Sequence, residues 1–229
     1  MGAGDYHRWF AEALSGLGCR LILTEPHLGQ ALPAKTRAFD AILVTGSPLS
    51  LTRPEPWMAR LAEGLRRAVE QRVPTLGVCF GHQLLAQAYG ARIVRNPRGR
   101  EVGTIFVRLS PAGRSDPLFE GIPGAFQVQA THQDILDALP AGATLLASND
   151  SSAVQAMALG SCCRTVQFHP ELTPAGMKLL LQSRMQLLER EALMRGEPPG
   201  ERVRGLLASV GHTPYGKRLL HNFFTHYVM

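Results

Sequence analysis

The fold of this chain is decided by residues 74–83, which read PTLGVCFGHQ. The stretch from Pro74 to Val78 is apolar and predicts a short buried strand that runs directly into Cys79. Gly77 and Gly81 stand on either side of the cysteine, where the lack of a side chain lets a strand and a helix approach closely. A nucleophile between two such glycines, after a strand and before a helix, is typical of a nucleophile elbow.

The segment after Cys79 predicts the chemistry of its thiol. Residues 82–89 predict a helix that Gly90 ends, so Cys79 lies near the helix N-terminus. Unpaired backbone amides and the helix dipole stabilise a thiolate there, and the amide of Phe80 is placed to donate to an oxyanion. A Gly-x-Cys sequence alone is more often a structural cysteine beside a turn. The complete heptad over residues 77–83, in this strand-helix context, favours a nucleophile.

A second motif, VQFHPE at residues 166–171, supplies a candidate base. An apolar strand ends here and places His169 at the edge where parallel α/β sheets collect their catalytic groups. Glu171 provides a nearby carboxylate that fixes the tautomer and orientation of the imidazole, and Pro170 stiffens the turn between them. A lone histidine is more often structural, but its pairing with an elbow cysteine predicts a Cys79–His169–Glu171 triad.

Outward from these motifs, apolar runs and helical periodicities alternate along the chain. The predicted strands are residues 19–23, 41–44, 74–78, 92–94, 102–109, 126–130, 144–147, 154–159 and 162–168. The predicted helices are residues 5–17, 56–70, 82–89, 174–194 and 215–227. This alternation predicts an α/β fold with a single doubly wound, mostly parallel sheet flanked by helices.

Two additions to this sheet are expected. The turn Gly160-Ser161 predicts an added antiparallel hairpin between the two strands that flank it. Residues 1–195 are interpreted as one catalytic domain. Residues 196–229 follow a break rich in proline and glycine, and are interpreted as a C-terminal helical extension packed on the same domain.

The bulk composition excludes several functional classes. Of the 229 residues, 45% are hydrophobic and 18% are charged, which is enough to build an ordinary core. The net charge of +6 comes almost wholly from arginine. Apart from a cluster at Arg92, Arg95, Arg98 and Arg100 these residues are dispersed, so a solvated surface is favoured over nucleic-acid binding.

Neither a membrane helix nor a signal peptide is recognisable, and a cytoplasmic protein is expected. The four cysteines contain no Cys-x-x-Cys pair, and neither a metal nor a cofactor is predicted.

The two motifs together, GVCFGHQ at 77–83 and QFHPE at 167–171, resemble the class I, triad-type glutamine amidotransferase domain. The resemblance covers residues from about 5 to 171 and is strongest for the glutaminase branch of GMP synthase. It implies that Cys79 attacks the side-chain amide of glutamine and forms a γ-glutamyl thioester. It further implies that His169 takes the thiol proton and protonates the leaving ammonia, while Glu171 orients His169.

The same resemblance implies further site residues. Gly46 and Ser47, in the loop after a strand, match the family's oxyanion loop and act opposite Phe80. Gln83 matches a glutamine that holds the substrate, and Thr131, His132 and Gln133 match a stretch that lines the site. Two departures stand out: a serine replaces the loop's second glycine, and the hydrophobic strand that usually precedes the segment matching residues 5–10 is missing or lies outside this chain.

Three functions remain open at this point. The first is glutamine hydrolysis, with ammonia passed to an unknown acceptor; this would require a separate synthetase subunit, because no synthetase domain is recognisable. The second is a stand-alone γ-glutamyl peptide or amide hydrolase that uses the same triad. The third is a non-catalytic regulatory subunit, against which the intact triad speaks. The expected partner is a small-molecule substrate, glutamine or a γ-glutamyl compound, and the sequence leaves self-association open.

Overall fold

A computed structural model describes residues 6–32, 39–198 and 200–228 of the chain. Its helices are α1 (Tyr6–Ala13), α2 (Pro56–Glu70), α3 (Phe80–Ala88), α4 (Pro111–Ser115), α5 (Pro174–Ser183), α6 (Met185–Leu193), α7 (Glu201–Ser209) and α8 (Gly216–Phe223). Its strands are β1 (Ile42–Val44), β2 (Thr75–Val78), β3 (Ile93–Arg95), β4 (Glu101–Leu109), β5 (Ala125–His132), β6 (Asp134–Leu136), β7 (Ala143–Ser148), β8 (Ala156–Leu159) and β9 (Cys163–Val166). Asp5, the first residue of the predicted helix 5–17, lies outside the described residues.

A seven-stranded sheet in the order β1-β2-β9-β8-β7-β4-β5 forms the centre of the fold. The strands β1, β2 and β9 run parallel, and each further pairing in the sheet is antiparallel. The predicted α/β class is confirmed, and its antiparallel part is larger than the one added hairpin that the sequence predicts. Residues 149–155 and 160–162, which connect β7 to β8 and β8 to β9, are too short for the crossover that parallel neighbours need.

The predicted strand over residues 19–23 does not form. This stretch is irregular, and its side chains Leu21, Ile22 and Leu23 are 50%, 56% and 56% exposed. In the described part of the chain β1 and β5 are the two edge strands of the sheet, and residues 19–23 pair with neither of them. An apolar run becomes a strand only when a neighbour accepts its backbone hydrogen bonds, and the prediction was therefore wrong.

The single helix predicted over residues 174–194 is also wrong, because α5 and α6 meet at a break. Arg184 has φ −101° and ψ 10° at the junction and ends α5. Its guanidinium donates to the hydroxyl groups of Thr131 and Tyr6. The buried positions keep a helical spacing across the break, so the periodicity alone predicts one continuous helix.

The C-terminal helices contribute to the central core. Helix α8 buries Leu219, Leu220 and Phe223 in the same cluster as Val78 and Val166 of the central strands. Helix α7, which the periodicity does not predict, packs against α5 and β4. Chain segments beyond residue 200 thus bury apolar surface against the sheet that carries the two sequence motifs.

A separate two-stranded antiparallel sheet, β3 with β6, lies beside α3. The strand β6 is too short to stand out in the sequence, and it follows β5 after the single residue Gln133. The side-chain amide of Gln83 in α3 donates a hydrogen bond of 2.8 Å to the carbonyl oxygen of Asp134. This bond holds the β5–β6 turn next to the helix that begins after Cys79.

Candidate active site

Cys79 lies between β2 and α3 in the backbone conformation of an elbow. Its φ of 53° and ψ of −101° are rare for a residue with a side chain. Its backbone amide donates to the carbonyl oxygen of Val166 at 2.8 Å, which ties the elbow to β9. A Cβ on Gly77 would lie 2.8 Å from the carbonyl oxygen of Gly81. A Cβ on Gly81 would overlap the carbonyl oxygen of Val44. The predicted role of both glycines therefore has a steric basis.

His169 and Glu171 form a buried hydrogen-bonded pair beyond the end of β9. The Nδ1 of His169 donates to Oε1 of Glu171 at 2.6 Å, and the two side chains are 1% and 0% exposed. The backbone amide of His169 donates to the carbonyl oxygen of Gln129 at 2.8 Å, which fixes the residue against β5. Its second ring nitrogen, Nε2, is buried without a hydrogen-bond partner in the described residues. Nε2 can accept a proton while Glu171 binds the Nδ1 of the same ring.

Gly46 shows how closely Cys79 and His169 approach each other. A Cβ built on this residue would lie 2.8 Å from Cε1 of His169 and 3.6 Å from Cβ of Cys79. The electrostatics also couple the two side chains. Burial opposes a charged imidazole, yet the negative charges of Glu171 and Cys79 raise the pKa of His169 well above its ordinary value. The nearby carboxylate of Glu171 thus favours a proton on His169.

The three residues assigned to the oxyanion hole lie around Cys79. Ser47 and Phe80 line the same cavity as Cys79, with a volume of about 320 Å³. Gly46 is buried behind the ring of His169. The hydroxyl of Ser47 accepts a hydrogen bond of 3.1 Å from the amide of Leu49, which shapes the loop that closes the cavity on that side.

The four residues assigned to substrate binding also line this cavity, and each is held by a neighbour. The amide nitrogen of Gln83 donates to the carbonyl oxygen of Asp134 and, at 3.0 Å, to the side-chain oxygen of Gln167. Thr131 and Gln133 accept hydrogen bonds from arginine side chains at 2.8 and 3.0 Å. His132 is buried, and both of its ring nitrogens have partners. The structure thus places all four at the cavity, with part of their hydrogen-bonding capacity committed to its shape.

A second histidine–carboxylate pair supports the cavity wall and has no counterpart in the sequence motifs. The Nε2 of His132 lies 2.8 Å from Oε2 of Glu101. Asn149 and Gln155 donate to the same carboxylate at 2.6 and 2.7 Å. Burial opposes its charge, but the hydrogen bonds, foremost that of His132, lower the pKa of Glu101. This network fixes the turn between β5 and β6.

Arginines at the cavity were interpreted from sequence as part of a solvated surface. Arg95 and Arg100, members of the cluster noted there, line the cavity together with Arg53 and Arg184. The signal was thus present in the sequence, but only the fold shows which arginines of the cluster turn toward Cys79. Tyr6 was missed as well, and its ring stacks on that of His169 with a centroid distance of 6.1 Å.

Comparisons with known proteins identify the family. The sequence profile of the family "glutamine amidotransferase class-I" matches residues 3–185. A glutamine amidotransferase-like protein of Schizosaccharomyces pombe is 31% identical over 170 residues, which cover 71% of this chain and 67% of the relative. A GMP synthase of Thermus thermophilus is 34% identical over 149 residues, which cover 62% of this chain but 27% of the synthase. Gamma-glutamyl peptidase 3 of Arabidopsis thaliana is 28% identical over 58% of this chain and 55% of the peptidase.

A solved structure of a glutamine amidotransferase from Thermotoga maritima supports the fold. It superposes with a TM-score of 0.80, covers 96% of this chain and 91% of its own, and is 21% identical. Across the described ranges, no helix combines the length and apolar composition that a membrane crossing requires. Within those ranges, no group of three or more His, Cys, Asp or Glu side chains is arranged to hold a metal ion.

Proposed function

This chain belongs to the class I glutamine amidotransferase family, and we propose that it hydrolyses the γ-amide bond of glutamine or of γ-glutamyl compounds through a thioester on Cys79. The observation that carries the proposal is the convergence of an elbow cysteine with a buried histidine–carboxylate pair around Gly46. A structural cysteine requires no strained backbone. It also requires no neighbouring histidine with an unpaired ring nitrogen.

Each side chain has a distinct task in the proposed reaction. The thiol of Cys79 transfers its proton to Nε2 of His169, and the sulfur attacks the γ-carbonyl carbon of the substrate. Amides around Phe80 and Ser47 receive the developing oxyanion. His169 then returns the proton to the leaving nitrogen, so an amine or ammonia departs and a thioester remains. Water, deprotonated by His169, cleaves the thioester and releases the γ-carboxylate, while Glu171 holds the ring throughout.

Trapping the thioester tests this chemistry directly. Purified protein is mixed with glutamine or a γ-glutamyl amide, quenched in acid and digested, and the peptides are examined by mass spectrometry. We expect a γ-glutamyl adduct on the peptide that contains Cys79, and none in a Cys79→Ala variant. Cys19→Ala is the matched control, because Cys19 is exposed and has no role in the proposed reaction. Turnover that survives in Cys79→Ala would refute the mechanism.

The fate of the leaving nitrogen separates two candidate functions. The GMP synthase relatives favour an amidotransferase that passes ammonia to a separate synthetase subunit, although the chain spans only 27% of the length of the Thermus synthase. In that case the isolated chain is slow, because a partner must first arrange the loop at residues 45–48. One oxyanion donor is worth roughly 10²–10³ in rate, which is sufficient for such control.

The γ-glutamyl peptidase relative and the arginine-lined cavity favour the second candidate, a hydrolase that works alone on γ-glutamyl peptides or amides. This candidate predicts full activity of the isolated chain. Steady-state kinetics on the purified protein, with glutamine and a set of γ-glutamyl compounds, distinguish the two. A high rate without any partner excludes control by a synthetase, whereas low activity on every compound favours it.

A further inference from the structure

The cavity beside Cys79 carries an excess of positive charge. Its lining includes four arginines and two acidic residues: Arg53, Arg95, Arg100, Arg184, Asp134 and Glu191. Both acidic residues already have hydrogen-bond donors. Glu191 binds Arg100 at 2.9 Å in a pair whose side chains are 12% and 14% exposed, and Asp134 accepts from the hydroxyl of Ser50. The charge of Glu191 is thus paired, whereas the neutral hydroxyl of Ser50 orients Asp134 and leaves its charge in place.

The other three arginines have no carboxylate within ion-pair distance in the described part of the chain. Arg53 and Arg95 are exposed on the rim of the cavity. Arg184 is half-buried and is fixed by two neutral acceptors, Thr131 at 2.8 Å and the hydroxyl of Tyr6 at 2.7 Å. These acceptors orient the guanidinium without neutralising it, so its charge remains available to an anion in the cavity.

Arg184 is also close to the reacting groups. The hydroxyl of Tyr6 accepts its hydrogen bond, and the ring of the same tyrosine stacks on His169. Arg184 and Cys79 line the same cavity of about 320 Å³, so an anion held by Arg184 shares that cavity with the thiol.

Charge balance then distinguishes two substrate classes. Free glutamine carries one carboxylate and one ammonium group, so its charges already cancel. A γ-glutamyl peptide carries the same two groups and, in addition, the carboxylate of the amino acid that leaves. Three lining arginines without an ion pair face one lining carboxylate without an ion pair, that of Asp134, in the described residues. The remaining excess of positive charge fits the second class better.

We propose that Arg53, Arg95 and Arg184 form an anion subsite that selects γ-glutamyl peptides with a free carboxylate on the departing amino acid. This inference rests on the proposed function, because the bond that breaks is the γ-amide attacked by Cys79. His169 gives its proton to the amino group of the departing residue. Water then releases glutamate, so the overall step consumes one water and needs no other reactant.

Two substrates that differ only in that carboxylate test the subsite: γ-glutamylglycine and γ-glutamylglycinamide. The readout is the ratio of their kcat/KM values, since damage to the common chemistry cancels in the ratio. We expect the wild-type protein to prefer γ-glutamylglycine by about tenfold or more at low salt, as charge-assisted hydrogen bonds allow. The preference should shrink at about 1 M salt, where the screening length falls to about 3 Å.

Matched variants assign the effect to the arginines. The double variant Arg53→Gln/Arg95→Gln and the single variant Arg184→Gln should each lower the ratio severalfold. Arg190→Gln is the control, because Arg190 is an exposed arginine of α6 outside the cavity lining, and it should leave the ratio unchanged. A ratio near one in the wild-type protein, or the same ratio in all four proteins, would overturn the subsite while leaving hydrolysis intact.

A binding measurement separates this failure from failure of the proposed function. If the isolated chain hydrolyses neither compound, the stand-alone hydrolase candidate is wrong, and calorimetry then compares the binding of the two compounds to the unmodified protein. Tighter binding of γ-glutamylglycine, lost in Arg184→Gln, supports the subsite even then. Equal binding of the two compounds, or binding of neither, overturns it.

Discussion

Gly46→Ala should damage catalysis without unfolding the chain. The added Cβ would lie 2.8 Å from Cε1 of His169, whereas ordinary contacts begin near 3.4 Å, so the ring or the loop must shift by about 0.6 Å (3.4 − 2.8). The ring cannot simply turn away, because its Nδ1 is bound to Glu171 at 2.6 Å and Tyr6 stacks on it. A misplacement of about 1 Å costs roughly 10²-fold in rate, so we expect a loss of roughly 10- to 100-fold in kcat/KM.

Two assays measure this loss. The first is kcat/KM on whichever γ-glutamyl substrate the wild-type protein accepts. The second is the rate at which an electrophilic glutamine analogue alkylates Cys79, which requires no turnover. Gly205→Ala is the control, because a Cβ on this α7 residue would meet no atom within 4 Å, and it should keep full activity and gain up to about 1 kcal/mol of stability. Wild-type rates in both assays for a folded Gly46→Ala protein would refute the assigned approach of Cys79 and His169.

Three further results are expected. The electrophilic glutamine analogue should label Cys79 and none of the other cysteines in peptide mapping, and Cys79→Ala should abolish turnover; a label mainly on another cysteine would contradict the assignment. His169→Ala should cost several orders of magnitude in kcat and Glu171→Gln clearly less, because a poorly oriented imidazole still transfers protons part of the time; kinetics that show the reverse order would exclude the triad roles. Burial and the nearby His132 lower the pKa of His82 to about 3. Below pH 6.5 the unfolded state therefore binds a proton at His82 that the folded state does not, and the free energy of unfolding decreases as the pH is lowered. From pH 7 to pH 4 the contribution of His82 to the free energy of unfolding decreases by about 3 kcal/mol. Urea unfolding of His82→Gln should therefore show a shallower pH dependence than that of the wild-type protein, and an equal pH dependence would show that the pKa is unshifted.

The local motifs predicted the central part of the fold well. A strand, a sharp turn and a helix around Cys79 follow from ten consecutive residues, because the glycines and the apolar run act on neighbouring backbone. The predicted helix 56–70 coincides with α2 for the same reason, since its apolar stripe and its proline at the start are local signals.

Pairing and helix breaks were not predictable in this way. Residues 19–23 have the apolar composition of a strand, but a strand also requires a partner, and the identity of the partner is a property of the whole sheet. The break at Arg184 depends on hydrogen bonds to Tyr6 and Thr131, which lie 178 and 53 positions away in sequence. No window of periodicity contains those partners.

The same distinction separates the two halves of the candidate site. In the proposed reaction Cys79, His169 and Glu171 perform the bond-breaking step. Each of them lies in a short motif, so the sequence alone predicts them without a structure. The residues that face the rest of the substrate come from separate elements, and only the fold brings Arg95 and Arg184 to one cavity. The triad therefore identifies the type of bond that breaks, whereas the charge of the cavity wall carries the information on which molecule contains that bond. For this chain, measuring the preference between a charged and a neutral leaving group is consequently the most informative test of the site.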